Sequence, residues 1–114
     1  MIDYKFELNE FGRPNFGVDE KYHQLWELAS CDFSYLQKIV GQLSEVLENK
    51  VSHYDFGFEV YNFDCTKDEC KVLNTFEGWR IEHVVPTEDI YQLLRDWMNY
   101  LIQFNEKSDN ISRG

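Results

Sequence analysis

The chain has 114 residues, with 21 Asp and Glu against 11 Lys and Arg, for a formal net charge of −10. A field of that sign repels phosphate backbones and anionic lipid headgroups, so direct binding to nucleic acid or to a membrane surface is not expected. The length suits one hydrophobic core, and an aromatic content of 17% can fill it without metal or disulfide staples.

The start, Met1-Ile2-Asp3-Tyr4, has neither the basic run nor the apolar stretch of a secretory signal, and no apolar run reaches transmembrane length. Cys31, Cys65 and Cys70 form no recognisable framework, which suits free thiols in a reducing compartment. A bacterial, cytoplasmic protein is the expectation.

Ile2, Tyr4, Phe6 and Leu8 alternate with Asp3, Lys5 and Glu7, the period of a strand with one wet face. The glycines and proline of Phe11–Gly17 then break regular structure. From Asp19 to Ala29, Tyr22, Leu25, Trp26 and Ala29 fit one helical face, although this stretch could also pair as a strand. A firmer helix follows. Asp32 caps it, and Phe33, Leu36, Ile39, Val40, Leu43 and Leu47 form its apolar stripe. Gly41 inside it suggests close backbone packing. Asn49 tolerates the left-handed geometry that closes a helix, and Lys50 suits its negative end.

Three strands are predicted next. In the first, His53–Phe63, one face carries Tyr54, Phe56, Phe58 and Val60, and the other carries Asp55, Gly57, Glu59, Tyr61 and Phe63. A polar loop, residues 64–69, leads to a strand from Cys70 to Phe76. Glu77-Gly78 makes a tight turn with a positive φ at Gly78, and Trp79–Val85 is the last strand. Pro86 stops the sheet, and Thr87 caps a final helix with Glu88 and Asp89 at its positive end. Ile90, Leu93, Leu94, Trp97, Met98 and Leu101 line that helix. The whole predicts a single α+β domain over residues 1–104, an antiparallel sheet of about four strands with amphipathic helices packed on one face. Residues 105–114 are expected to fray.

The outward side of this sheet is the main candidate for function. Asp3, Glu7, Asp55, Glu59 and Glu82 share outward parity. The loops add Asp64, Asp68, Glu69 and Glu77, and Tyr61 and Phe63 would interleave rings with these acids. Such a surface suits a basic cleft, with acids to steer and rings to anchor. An ordinary solvated face accounts equally well for the acids.

His53 and Asp55 sit two apart, close enough for a metal or a proton-transfer pair, with Glu59 further along. No third ligand stands at a diagnostic spacing. His83 has the core parity of Trp79 and Ile81. Cys65 and Cys70 could meet across a hairpin, but two free thiols near a loop are the plainer reading. Trp26, Trp79 and Trp97 fall on apolar faces, where core packing is the default. The chain lacks a Gly-rich phosphate loop and a nucleophile elbow, so neither catalysis nor a cofactor is expected.

With Asp55, Glu59, Tyr61 and Asp64 on or beside an aromatic strand, the chain resembles the small acidic immunity proteins that protect bacteria from polymorphic or contact-dependent toxins. Barstar-type ribonuclease inhibitors share the strategy. The resemblance lies in size, charge and α+β make-up over the whole chain, without a signature motif. It implies an inhibitor that occupies the basic cleft of a toxin, a nuclease above all, through Asp55, Glu59, Tyr61, Asp64, Asp68, Glu69, Glu77 and Glu82. Other expectations are an acidic module such as a DNA-mimic decoy or an adaptor, and last a small metal enzyme around His53, Asp55 and Glu59.

Overall fold

The computed structural model describes residues 2–113, with side chains described as far as Asn105. It is an α+β fold. Strands β1 (Tyr4–Leu8) and β2 (Pro14–Val18) form a hairpin. A 3₁₀ segment (Glu20–Ser30) and helix α1 (Phe33–Leu47) follow. Strands β3 (Tyr54–Gly57), β4 (Tyr61–Cys65), β5 (Glu69–Asn74) and β6 (Arg80–Pro86) make an antiparallel sheet in chain order, and helix α2 (Thr87–Arg113) closes the fold. No helix among the described residues is long and apolar enough to cross a membrane.

The first strand forms where alternation predicts it, but it pairs outside the main sheet. Phe6 lies opposite Phe16, and Leu8 lies opposite Pro14. The segment expected to break structure is therefore half of a hairpin. Asn9 Oδ1 accepts from the amides of Phe11 (2.9 Å) and Arg13 (3.0 Å), and Gly12 supplies φ +73°. Pro14 is tolerated because it opens a strand of a two-stranded ribbon. Phe6 and Phe16 pack on Trp97, with ring centroids 5.5 and 5.1 Å away, which fixes the hairpin to α2.

The stretch from Glu20 to Ser30 is helical but of 3₁₀ type, so its inward positions repeat every three residues. Gln24, Leu25, Glu27 and Leu28 are buried and Trp26 points out, against the expectation that Trp26 packs in the core. Helix α1 spans the predicted residues. Asp32 stands at its N-cap, but its carboxylate accepts from the Ser34 hydroxyl (2.5 Å), which holds its pKa below the usual carboxylate value. The other end is a Schellman closure. Asn49 adopts φ +63°, its amide donates to Val46 O (3.1 Å), and the Lys50 amide donates to Glu45 O (2.9 Å). Gly41 does not mark a close approach: it faces solvent, and a methyl there would meet nothing within 4 Å.

The predicted strand His53–Phe63 is two strands. A turn over Phe58–Val60, closed by the Phe58 amide on Tyr61 O (2.9 Å), separates β3 from β4. Three turn residues reverse the parity, so Tyr61, Phe63 and Cys65 face inward with Phe56 and are buried. Phe56 and Phe63 are register partners and stack at 5.0 Å. Tyr61 and Phe63 are thus core residues, and neither is an anchor on the outward face. A second parity shift lies in β6. Val72 pairs with His83 but Leu73 pairs with Ile81, so Glu82 is the extra residue of a bulge. His83 stays partly covered against Tyr22 (centroids 4.9 Å apart), whereas Trp79 and Ile81 are exposed, contrary to their expected burial.

Cys65 and Cys70 are register partners on β4 and β5, buried and joined as a disulfide, so they are not two free thiols. The free cysteine is Cys31, whose thiol is pushed up to about 11 by burial and then by the Asp32 carboxylate. Thr87 is buried and ties α2 to the β4–β5 turn. Its hydroxyl donates to Thr66 O (2.5 Å) and its amide to Asp68 O (3.3 Å). From there Ile90, Leu93, Leu94 and Trp97 recur on the buried face of α2 as their spacing predicts, each Leu or Ile contributing about 1.5–3 kcal/mol by burial. The backbone helix continues to Arg113, beyond the predicted end at Phe104. The fraying expected of residues 105–114 falls almost wholly on side chains outside the described set.

Candidate protein-binding face

Helices and the 3₁₀ segment supply the core against one side of the four-stranded sheet. The residues of opposite parity form the other side. Two cross-strand rows define it. One runs Asp55, Asp64, Lys71, Val84, and the other runs Gly57, Asn62, Leu73, Ile81. Carboxylates therefore occupy the β3–β4 half and aliphatic side chains the β5–β6 half, with Lys71 between. Asp55 and Asp64 lie directly opposite one another, an unfavourable like-charge pair in isolation. Lys71 is the partner of Asp64 on its other side, and His53 Nε2 makes a short hydrogen bond to Asp64 Oδ1. His53 thus engages Asp64 and not Asp55. Among the described residues no group of three His, Cys, Asp or Glu side chains is arranged to hold a metal. A Cβ on Gly57 would come 2.5 Å from Asn62 Oδ1, so the Asn62 side chain would have to turn aside to admit one.

The two turns at one end of the sheet extend this face. The Thr75 amide and hydroxyl both donate to Val60 O (2.9 Å each), which holds the β5–β6 turn against the β3–β4 turn. Glu59 and Glu77 are both exposed there. Between Glu77 and β6 the backbone is left-handed at Gly78 (φ +64°) and again at Trp79 (φ +62°). Glycine adopts this region freely, as predicted for Gly78, but a bulky residue does so at a cost of about 1–2 kcal/mol. The turn is closed by the Trp79 amide on Asn74 O (2.9 Å) and the Phe76 amide on Asn74 Oδ1 (3.0 Å). Phe76 is 70% exposed, Trp79 56%, Ile81 51% and Val84 46%. These are four large apolar side chains in solvent on a molecule of net charge −10.

The eight predicted site residues separate into groups. Asp55, Asp64 and Glu69 point outward from strands, and Glu59 and Glu77 sit at the turn end. Asp68 lies with Glu69 at the opposite end, beside the start of α2. Tyr61 is buried on the inner side, where desolvation and then Glu82 raise its pKa. Glu82 leaves the outward row because of the bulge. It accepts from Arg80 Nη2 (2.9 Å), Asn74 Nδ2 (3.2 Å) and the Tyr61 hydroxyl, and the Arg80 bond leads in holding its pKa below the usual glutamate value. Its charge is committed inside the protein. Asp3 and Glu7 belong to the separate hairpin and are not part of this face.

One acid that sequence reasoning missed organises the turn end. Glu27 is buried, and its carboxylate accepts from the amides of Val60 (3.1 and 3.2 Å) and Tyr61 (2.9 Å). An anion thus fixes the turn that carries Glu59, through charge-assisted bonds stronger than ordinary ones. The only local signal was the i, i+3 spacing of Gln24 and Glu27, which is legible once 3₁₀ geometry is assumed. Comparison with known proteins finds no match: no family model, no curated protein and no solved structure matches this chain.

Proposed function

We propose that this chain is an acidic protein-binding inhibitor of the immunity type, which neutralises a basic toxin, foremost a nuclease, by occupying its cleft. The observation that carries the reading is the composition of the helix-free sheet face. Outward carboxylates at Asp55, Glu59, Asp64, Glu69 and Glu77 adjoin exposed Phe76, Trp79, Ile81 and Val84 on a chain of net charge −10. Acids accelerate and orient encounter with a basic surface, and apolar anchors slow its departure. The apolar half of the face favours an inhibitor over a pure phosphate mimic, which has no use for exposed Ile, Val and Trp side chains.

The test is affinity capture from the source cell, comparing the native chain with the Asp55→Lys/Glu59→Lys double variant. The reading expects one basic protein, eluted by salt, recovered by the native chain and not by the variant. Equal recovery by both, or recovery of no basic protein, would move the function elsewhere.

A further inference from the structure

Resting on that reading, we infer that the Phe76–Trp79 turn is the anchor of the interface, and that its occupant is a basic peptide segment of the partner bearing Arg or Lys beside an apolar residue. Three independent observations converge there. The first is exposure. Phe76 and Trp79 are large rings in solvent on the turn that leads into β6, where Ile81 is also exposed. The second is conformation. Trp79 is held left-handed next to Gly78, which already is, a conformation whose backbone cost a glycine there would not carry and which fixes where the ring is presented. The third is charge. Glu59 and Glu77 stand at the same end of the sheet, brought together by the Thr75 bonds to Val60, while Glu27 sits behind them on the amides of Val60 and Tyr61.

Exposed rings on a turn that also carries Glu77, with Glu59 at the same end of the sheet, suit one chemistry in particular. A guanidinium or ammonium is attracted to the quadrupole of Trp or Phe and to the acids together. Its apolar neighbour then lies along Ile81 and Val84. The alternative occupant, a second copy, would bring two chains of charge −10 into contact at their acidic turns, which electrostatics opposes.

The experiment uses random peptides displayed on phage as the probe, selected on the full chain. Selected peptides are synthesised and titrated against four proteins: native, Trp79→Gly, Asp55→Lys/Glu59→Lys and Trp26→Ala. Gly suits φ +62°, so Trp79→Gly keeps the turn and removes only the ring, and circular dichroism confirms that it folds. Trp26 is an exposed ring outside the proposed site. The expected result is enrichment of peptides pairing Arg or Lys with an apolar residue, weakened about 30-fold or more by Trp79→Gly as for a Trp hot spot, and unchanged by Trp26→Ala. Basic peptides that bind Trp79→Gly as tightly as native, yet fail on the charge-reversed variant, would overturn the anchor while leaving the acidic reading standing. Selection of peptides without basic residues would overturn both. Sedimentation of the native chain showing a dimer that Trp79→Gly dissociates would assign the turn to a second copy and also overturn the proposal.

Discussion

Replacing Trp79 by Ala and by Gly separates the cost of its backbone from the worth of its ring. A side chain that is 56% exposed keeps a little under half its surface covered, on the order of 100 Å², which contributes about 2.5 kcal/mol at ~25 cal/mol per Å². Both variants lose that contribution. Ala keeps the left-handed penalty at φ +62° because it still has a Cβ. Gly sheds the penalty and gives back part of it through its greater freedom in the unfolded chain. The net expectation is that Trp79→Gly is more stable than Trp79→Ala by about 1 kcal/mol, the reverse of the usual order in regular structure. In urea unfolding at an m-value of about 1.5 kcal/mol/M, the Gly midpoint lies above the Ala midpoint by roughly 0.7 M. An Ala variant equal to or more stable than the Gly variant would refute the left-handed turn at Trp79.

Other outcomes follow from single side chains. Gly41→Ala, on the exposed side of α1 with open space for a methyl, should stabilise the protein by about 1 kcal/mol in the same urea assay. Glu27→Ala leaves two turn amides without their acceptor and should cost about 3 kcal/mol, whereas Glu27→Gln, which keeps one carbonyl oxygen, should cost less. For Cys65–Cys70, thiol titration in denaturant without reductant should count one thiol per chain, and three after reduction. Reduction should lower stability by about 2 kcal/mol, the loop-closure value for so short a loop, and the melting temperature by about 8 °C.

What could be read from the residues, and what could not, divides along physical lines. Helices α1 and α2 were legible because their stripes repeat over three or more turns and their ends carry recognisable chemistry, such as Asn49 at the left-handed position. The strand β1 was legible from alternation alone, but its pairing was not, because the hairpin turn depends on Asn9 bonding two amides rather than on composition. The errors on the sheet are parity errors. Apolar residues fall at 54, 56, 58 and 60 and then at 61 and 63, so the phase slips at Val60-Tyr61. That slip is the trace of the three-residue turn at Phe58–Val60, which moves Tyr61 and Phe63 from the expected surface to the core. The bulge at Glu82 does the same in β6, exposing Ile81 and withdrawing Glu82 into bonds with Arg80, Asn74 and Tyr61. A one-residue slip exchanges faces, so a site inferred from strand parity is only as good as its turn positions. The carboxylates at Asp55, Asp64 and Glu69 stay outward, while the aromatic anchors move from Tyr61 and Phe63 to Phe76 and Trp79.

The most direct test of the central claim is the rate at which the captured basic partner associates with the native chain as ionic strength is raised. The account predicts an association rate toward 10⁸ M⁻¹s⁻¹ at low salt, in order of magnitude, falling steeply with added salt and with Asp55→Lys/Glu59→Lys. Trp79→Gly should leave that rate nearly unchanged and speed dissociation instead. An association rate indifferent to both salt and charge reversal would contradict the account.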